Sequence, residues 1–159
     1  MSASVPDSVE QTLVWVHEDC LRPEGPALGR YPNSPAVAVL DERALDRAGA
    51  TLKQIVFVYE CLLEMPRVAV IKGDTVETLV ATARKMGCGR VATAESASPE
   101  VSRVCRELEE RGFATEEVGD APFVELPAEE ERKLDLKRFS RYWRRAKKKA
   151  LLDDGRTGA

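Results

Sequence analysis

The chain has 159 residues, 43% of them hydrophobic and 32% charged, which is room for one compact domain with an ordinary core and excludes a disordered chain. No run of 18 apolar residues exists to cross a membrane, and the polar opening MSASVPDSVEQT lacks the apolar stretch of a signal peptide. The formal net charge of −3 conceals an asymmetry: residues 1–131 carry 24 acids against 13 bases, net −11, whereas residues 132–159 carry 3 against 11, net +8.

Residues 1–11 read as a flexible N-terminal segment, followed by an α/β domain over 12–126. Thr12–His17 (TLVWVH) is a first apolar strand, after which Pro23, Gly25, Pro26, Gly29, Pro32 and Pro35 mark a loop. Ala36–Leu40 (AVAVL), Arg67–Ile71 (RVAVI) and Arg90–Thr93 (RVAT) are further strands, with a fifth at Thr115–Val118. Continuous apolar runs without alternation suit strands covered on both faces. Between them, Thr51–Met65 carries Leu52, Ile55, Val56, Tyr59, Leu62 and Leu63 at helical spacing and stops at Pro66. Asp74 or Thr75 can cap a helix over Val76–Met86 that ends at Gly87. Ser98-Pro99 opens another, with Val101, Val104, Cys105 and Leu108 on its inner face until Gly112. The alternation predicts a Rossmann-like, three-layer α/β/α fold with a five-stranded parallel sheet in the usual doubly wound order, 3-2-1-4-5.

Four cysteines lie 41, 27 and 17 residues apart with no CxxC pair, so neither a zinc knuckle nor a disulfide framework is expected. Three of the four sit in apolar-periodic stretches and read as small buried hydrophobes, and a soluble protein in the reducing cytoplasm is expected.

In open α/β sheets, ligands settle beyond the carboxyl ends of the strands where the strand order reverses. Here those ends supply Trp15, His17, Asp41, Gly73, Asp74, Glu95 and Ser96, the candidate residues for holding a small molecule. If strands one and four are neighbours, His17 stands beside Glu95 and Ser96. Each residue has a plainer role open to it. His17, flanked by Glu18 and Asp19, reads as a solvated loop residue. Asp41 ends a strand, Gly73-Asp74 makes a turn and cap, and Glu95 alone is aimed into a crevice by the short strand before it. The GxGxxG, GxxxxGK[ST] and GxSxG signatures are absent from the sequence, and a single histidine cannot build a histidine-rich metal site. No catalytic constellation is recognisable, and none is expected.

Leu13-Val14-Trp15-Val16-His17-Glu18-Asp19-Cys20-Leu21, with Pro26-Ala27-Leu28 after it, resembles the opening of DNA photolyases and cryptochromes, Leu-Val-Trp-Phe-Arg-x-Asp-Leu-Arg and then Asn-Pro-Ala-Leu. The resemblance continues through Val39-Leu40-Asp41, the helix Leu52 to Met65 and Ile71-Lys72-Gly73-Asp74. It ends with Phe139-Ser140-Arg141-Tyr142-Trp143-Arg144, similar to the family's Phe-Thr-Pro-Phe-Trp-Arg. It departs at His17-Glu18, where the family favours Arg, at Arg141, which replaces a proline, and at Val104, which replaces an acid. The chain ends where the family's helical, FAD-holding domain would begin. The resemblance therefore implies the α/β antenna half, which in many members binds a folate, deazaflavin or flavin chromophore, and it implies no photorepair by this chain alone.

Leu136 to Leu152 contains eight Lys/Arg and no acid, and neither Gly nor Pro interrupts Ala128–Leu152. A basic amphipathic helix over 127–152 is expected, ahead of a disordered tail at 153–159. Lys137, Arg138, Arg141, Trp143, Arg144, Arg145, Lys147 and Lys148 are its candidate contacts to nucleic acid or an acidic partner protein; docking onto the acidic body is the plainer alternative. Three functions remain open at this point. The chain is a non-catalytic chromophore- or nucleotide-binding module with its crevice at strands one and four, an interaction module acting through the basic helix, or half of a split photolyase completed by a separate FAD-bearing chain. A homodimer is compatible with each.

Overall fold

The computed structural model describes residues 11–120, Glu129, Arg132 and 139–150; in the last stretch it covers the backbone and the side chains of Phe139, Ser140, Tyr142, Trp143, Arg144, Ala146 and Lys147. Of the flexible segment expected at 1–11, residues 1–10 lie outside the described residues, as do the tail at 153–159 and the side chains of Lys137, Arg138, Arg141, Arg145 and Lys148, whereas Gln11 opens the first strand. The chain divides after Asp120 into two compact units.

The first unit holds β1 (Gln11–Val16), a single 3-10 turn at Glu18–Cys20, α1 (Pro26–Arg30), β2 (Ala36–Leu40), α2 (Glu42–Arg47), α3 (Leu52–Leu63), β3 (Val68–Lys72), α4 (Thr75–Met86), β4 (Cys88–Ala94), α5 (Pro99–Glu110) and β5 (Ala114–Val118). All neighbouring strands are parallel, in the order β3-β2-β1-β4-β5. This is the Rossmann-like sheet expected from the apolar strand runs. Successive strand residues point to opposite faces. Leu13, Trp15, Val37 and Val91 pack against Val76, Leu79 and Val80 of α4 and Val101, Val104 and Leu108 of α5. Val14, Val16, Ala36, Ala38 and Val68 pack against Ala27 and Leu28 of α1 and Leu62 near the end of α3. The chain thus covers one face on its way from β1 to β3 and the other from β3 to β5. The reversal falls between β1 and β4, the central strands.

Local chemistry sets the element ends. Thr51 and Gln54 form a reciprocal capping box at the start of α3, the Asp74 carboxylate accepts from the Glu77 N–H at the start of α4, and Gly87 closes α4 at φ 68°, a left-handed conformation that disfavours a side chain. Two elements depart from the sequence expectation. The proline- and glycine-rich loop contains the five-residue α1, with Pro26 in its first turn, and Asp41 is followed by the six-residue α2; neither is long enough to show helical periodicity. The apolar residues of α3 also do not form one buried stripe. Leu62 is buried and Ile55 is half-buried, while Leu52, Val56, Tyr59 and Leu63 face solvent.

All four cysteines are free, Cys88 and Cys105 being buried. Burial, aided by Glu117 and Glu109, pushes the Cys105 thiol up to about 11, so it packs as a neutral hydrophobe. Among the described residues no helix is long and apolar enough to cross a membrane.

The second unit contains α6 (Phe139–Ala150). Glu129 is helical but Arg132 lies in a turn, so 127–152 is not one unbroken helix.

Candidate functional site

The carboxyl edge of the sheet carries a cavity of about 660 Å³. Its floor is formed by Trp15, Val16 and His17 of β1 and its exit, and by Ala38, Val39, Leu40 and Asp41 from β2. One wall is α3, which turns Gln54, Ile55, Phe57, Val58 and Leu62 toward the space. Ala44, Leu45 and Ala48 of α2 cover it, and Ser98, Pro99, Glu100, Val101 and Val104 close it at the start of α5. Ile55 and Val58 are only half-buried although they lie on the inner face of α3, because the space below them is empty. The lining is mainly apolar, with a few polar groups at its margins.

Those polar groups are largely engaged. Asp41 is 7% exposed; one carboxylate oxygen accepts from the Ala44 N–H at 3.0 Å, and the other from the Thr75 N–H at 2.9 Å and the Thr75 hydroxyl at 3.1 Å. A single carboxylate therefore caps α2 and ties it to the start of α4. Burial raises its pKa, but the hydrogen bonds from Ala44, Thr75 and Arg43 outweigh that effect and leave it below its ordinary value. Arg47 of α2 donates to Glu100 of α5 at 3.2 Å across the cavity mouth. Hydrogen bonds from Arg103, opposed by burial and joined by Arg47, hold the Glu100 carboxyl below its ordinary value. The Ser98 hydroxyl makes no capping bond to α5, and the Gln54 side-chain oxygen accepts from the Thr51 N–H and hydroxyl, so the Ser98 hydroxyl and the Gln54 amide nitrogen are the polar groups nearest to availability.

His17 departs from the solvated loop residue that Glu18 and Asp19 suggested. It is 5% exposed. Its Nε2–H donates to the Ala94 carbonyl at 3.0 Å, its Nδ1 accepts from the Asp19 N–H at 3.3 Å, and its ring meets Trp15 edge-on with centroids 5.4 Å apart. The histidine fastens the end of β1 to the end of β4, beside a void of about 10 Å³. The open space lies instead over β1 and β2, so the crevice expected between strands one and four is filled.

Of the seven candidate residues, Trp15, His17 and Asp41 border the cavity; Gly73, Asp74, Glu95 and Ser96 do not. Asp74 is a helix cap. Gly73 sits where an added Cβ would come within 2.7 Å of the Thr78 hydroxyl. The Glu95 N–H bonds to the Val118 carbonyl and its exposed side chain lies by Gly119, so the end of β4 turns it toward β5 rather than into a crevice. The Ser96 hydroxyl donates to Asp19 and accepts from the Ser98 N–H. Sequence reading missed Ala44, Leu45 and the inner face of α3. The available signal was an excess of apolar residues on α3, more than one packed face requires. Among the described residues no cluster of three metal-binding side chains occurs.

No family model and no curated protein matches this chain. Among solved structures its fold is similar to that of a bacterial class III photolyase from Agrobacterium tumefaciens, with a TM-score of 0.56 at 14% identity. The likeness covers 92% of this chain and 33% of the photolyase chain, so the chain spans about a third of that protein's length. At this identity the shared property is a photolyase-like, Rossmann-like α/β fold.

Proposed function

We propose that this chain is a non-catalytic binding module that takes a planar, largely apolar aromatic molecule, a chromophore or nucleotide-like compound, into the cavity over β1 and β2. The observation that carries this reading is the cavity of about 660 Å³ at the carboxyl edge of the sheet, within the ~300–1,000 Å³ range of small-molecule sites and beside the point of strand reversal. Its walls offer apolar area, with Trp15 among the lining side chains. Asp41, Arg47, Glu100 and His17 are committed to protein partners, which suits a site that binds and orients rather than one that transfers protons. By the sequence resemblance, folates, flavins and deazaflavins are the first compounds to try. Saturating ligand at ~100 times its Kd adds about 2.7 kcal/mol to stability, a rise in melting temperature of about 10 °C for a unit of this size. Thermal melts with FMN, FAD, reduced folates, a deazaflavin and adenine nucleotides test this directly. A rise with a compound bearing an aromatic ring system is expected, and no shift with any of them overturns the reading.

A second reading, that the basic segment engages nucleic acid or an acidic protein, is favoured by α6. Phe139 stacks on Trp143 at 6.1 Å with planes 14° apart, and the two rings are 71% and 39% exposed among the cations of the helix. Exposed rings beside cations suit polyanions whose bases can stack. Removal of residues 132–159 is expected to abolish salt-dependent retention on heparin and single-stranded DNA. Retention unchanged by the truncation excludes this role.

A further inference from the structure

Helix α3 carries an apolar face that the cavity does not use. At 3.6 residues per turn, Leu52, Val56, Tyr59 and Leu63 project within an arc of roughly 60°, and they are 76%, 45%, 44% and 62% exposed. The cavity-facing side chains of α3 lie elsewhere around its axis. The spacing of four, three and four residues is that of two interlocking positions of a heptad, the pattern of a helix that packs along a second helix. One flank of this stripe is the protein's own core. The other presents Lys53 and Glu60, both exposed and, among the described residues, neither in an ion pair.

We propose that this stripe is a homodimer interface in which α3 packs antiparallel to α3 of a second copy. The argument for a second copy is self-complementarity. A two-fold axis crossing α3 midway between Phe57 and Val58 places Leu52 of one copy against Leu63 of the other and Val56 against Tyr59. It also brings Lys53 of each copy within about two residues of Glu60 of the other, so the same ion pair forms twice. A parallel arrangement would set Lys53 level with Lys53 and Glu60 level with Glu60. Other partners would need to supply a stripe of matching length with inverted charges, which this helix itself already carries. Twelve residues of helix span about 18 Å, a contact smaller than that of a permanent dimer, so the association is weak and reversible, with a Kd on the order of 10 μM.

The test is sedimentation of the full chain from 1 to 500 μM (about three decades around that Kd). The wild type is expected to pass from monomer to dimer. Lys53→Glu and Glu60→Lys, each set against like charge twice, are each expected to weaken association at least 10-fold. An equimolar mixture of the two single variants, in which both cross-pairs become opposite in sign, is expected to recover a heterodimer, as is the double variant on its own. Val56→Asp is expected to stay monomeric with an unchanged circular dichroism spectrum. A wild type that remains monomeric throughout, or single variants that dimerise as tightly as the wild type, overturns the proposal. So does a mixture that fails to recover association.

Discussion

Replacing Asp41 by alanine is expected to destabilise the protein by about 3 kcal/mol, read as a shift in the urea midpoint at constant slope. The magnitude follows from the bonds removed. A helix cap is worth ~1 kcal/mol, and Asp41 caps α2 through the Ala44 N–H. Its other oxygen serves the buried Thr75, whose N–H and hydroxyl would both lose a charged acceptor, at ~1–3 kcal/mol for a donor left unsatisfied. The pH dependence has a definite sign. The hydrogen bonds hold the folded-state pKa of Asp41 below its ordinary value, so the native state favours the ionised form. Its contribution is present in full above the ordinary carboxylate range and is lost as pH falls below ~4 and through the folded-state pKa. Wild type and Asp41→Asn should therefore differ most near neutral pH and converge in acid. A difference that stays constant from pH 7 to pH 3 contradicts a structural role for the ionised carboxylate.

Asp41 also illustrates what was legible in the sequence. Its place at the end of β2 follows from AVAVL running into a helix-capping residue. The acid was expected at the carboxyl edge and is there, but its three partners come from two helices, one of them 34 residues on. Such long-range commitments decide whether a polar residue is free to meet a ligand, and local pattern does not encode them. His17 makes the same point. Its neighbours Glu18 and Asp19 are exposed, and only the pairing of β1 with β4 brings the Ala94 carbonyl to its ring. The sheet order was accessible because strands buried on both faces read as unbroken apolar runs, and the alternation of strands with helices admits few topologies. β5, whose sequence ATEEV is hardly apolar, lies at Ala114–Val118, one residue longer than the Thr115–Val118 expected. The cavity was not accessible. It depends on α2, too short to register as a periodic pattern, and on α3 standing over open space with its inner residues half-covered.

That empty space yields the second large effect. Phenylalanine in place of Ala44, which covers the cavity from α2, is expected to abolish the thermal response to any compound that shifts the wild type, a loss of at least 100-fold in affinity. In the absence of ligand the variant should unfold at the same denaturant concentration as the wild type or higher. An added ring there fills existing room rather than displacing packed neighbours, and burying it contributes ~25 cal/mol per Å² of apolar surface removed from water. Ala50→Phe, from the loop between α2 and α3 that also borders the cavity, provides an independent check through a different backbone position. The combination of retained stability and lost binding is the discriminating result, because damage to the fold would lower both together. If both variants keep the wild-type ligand response, the compound binds elsewhere on the molecule. The half-buried inner face of α3 would then reflect loose packing rather than a site awaiting an aromatic guest.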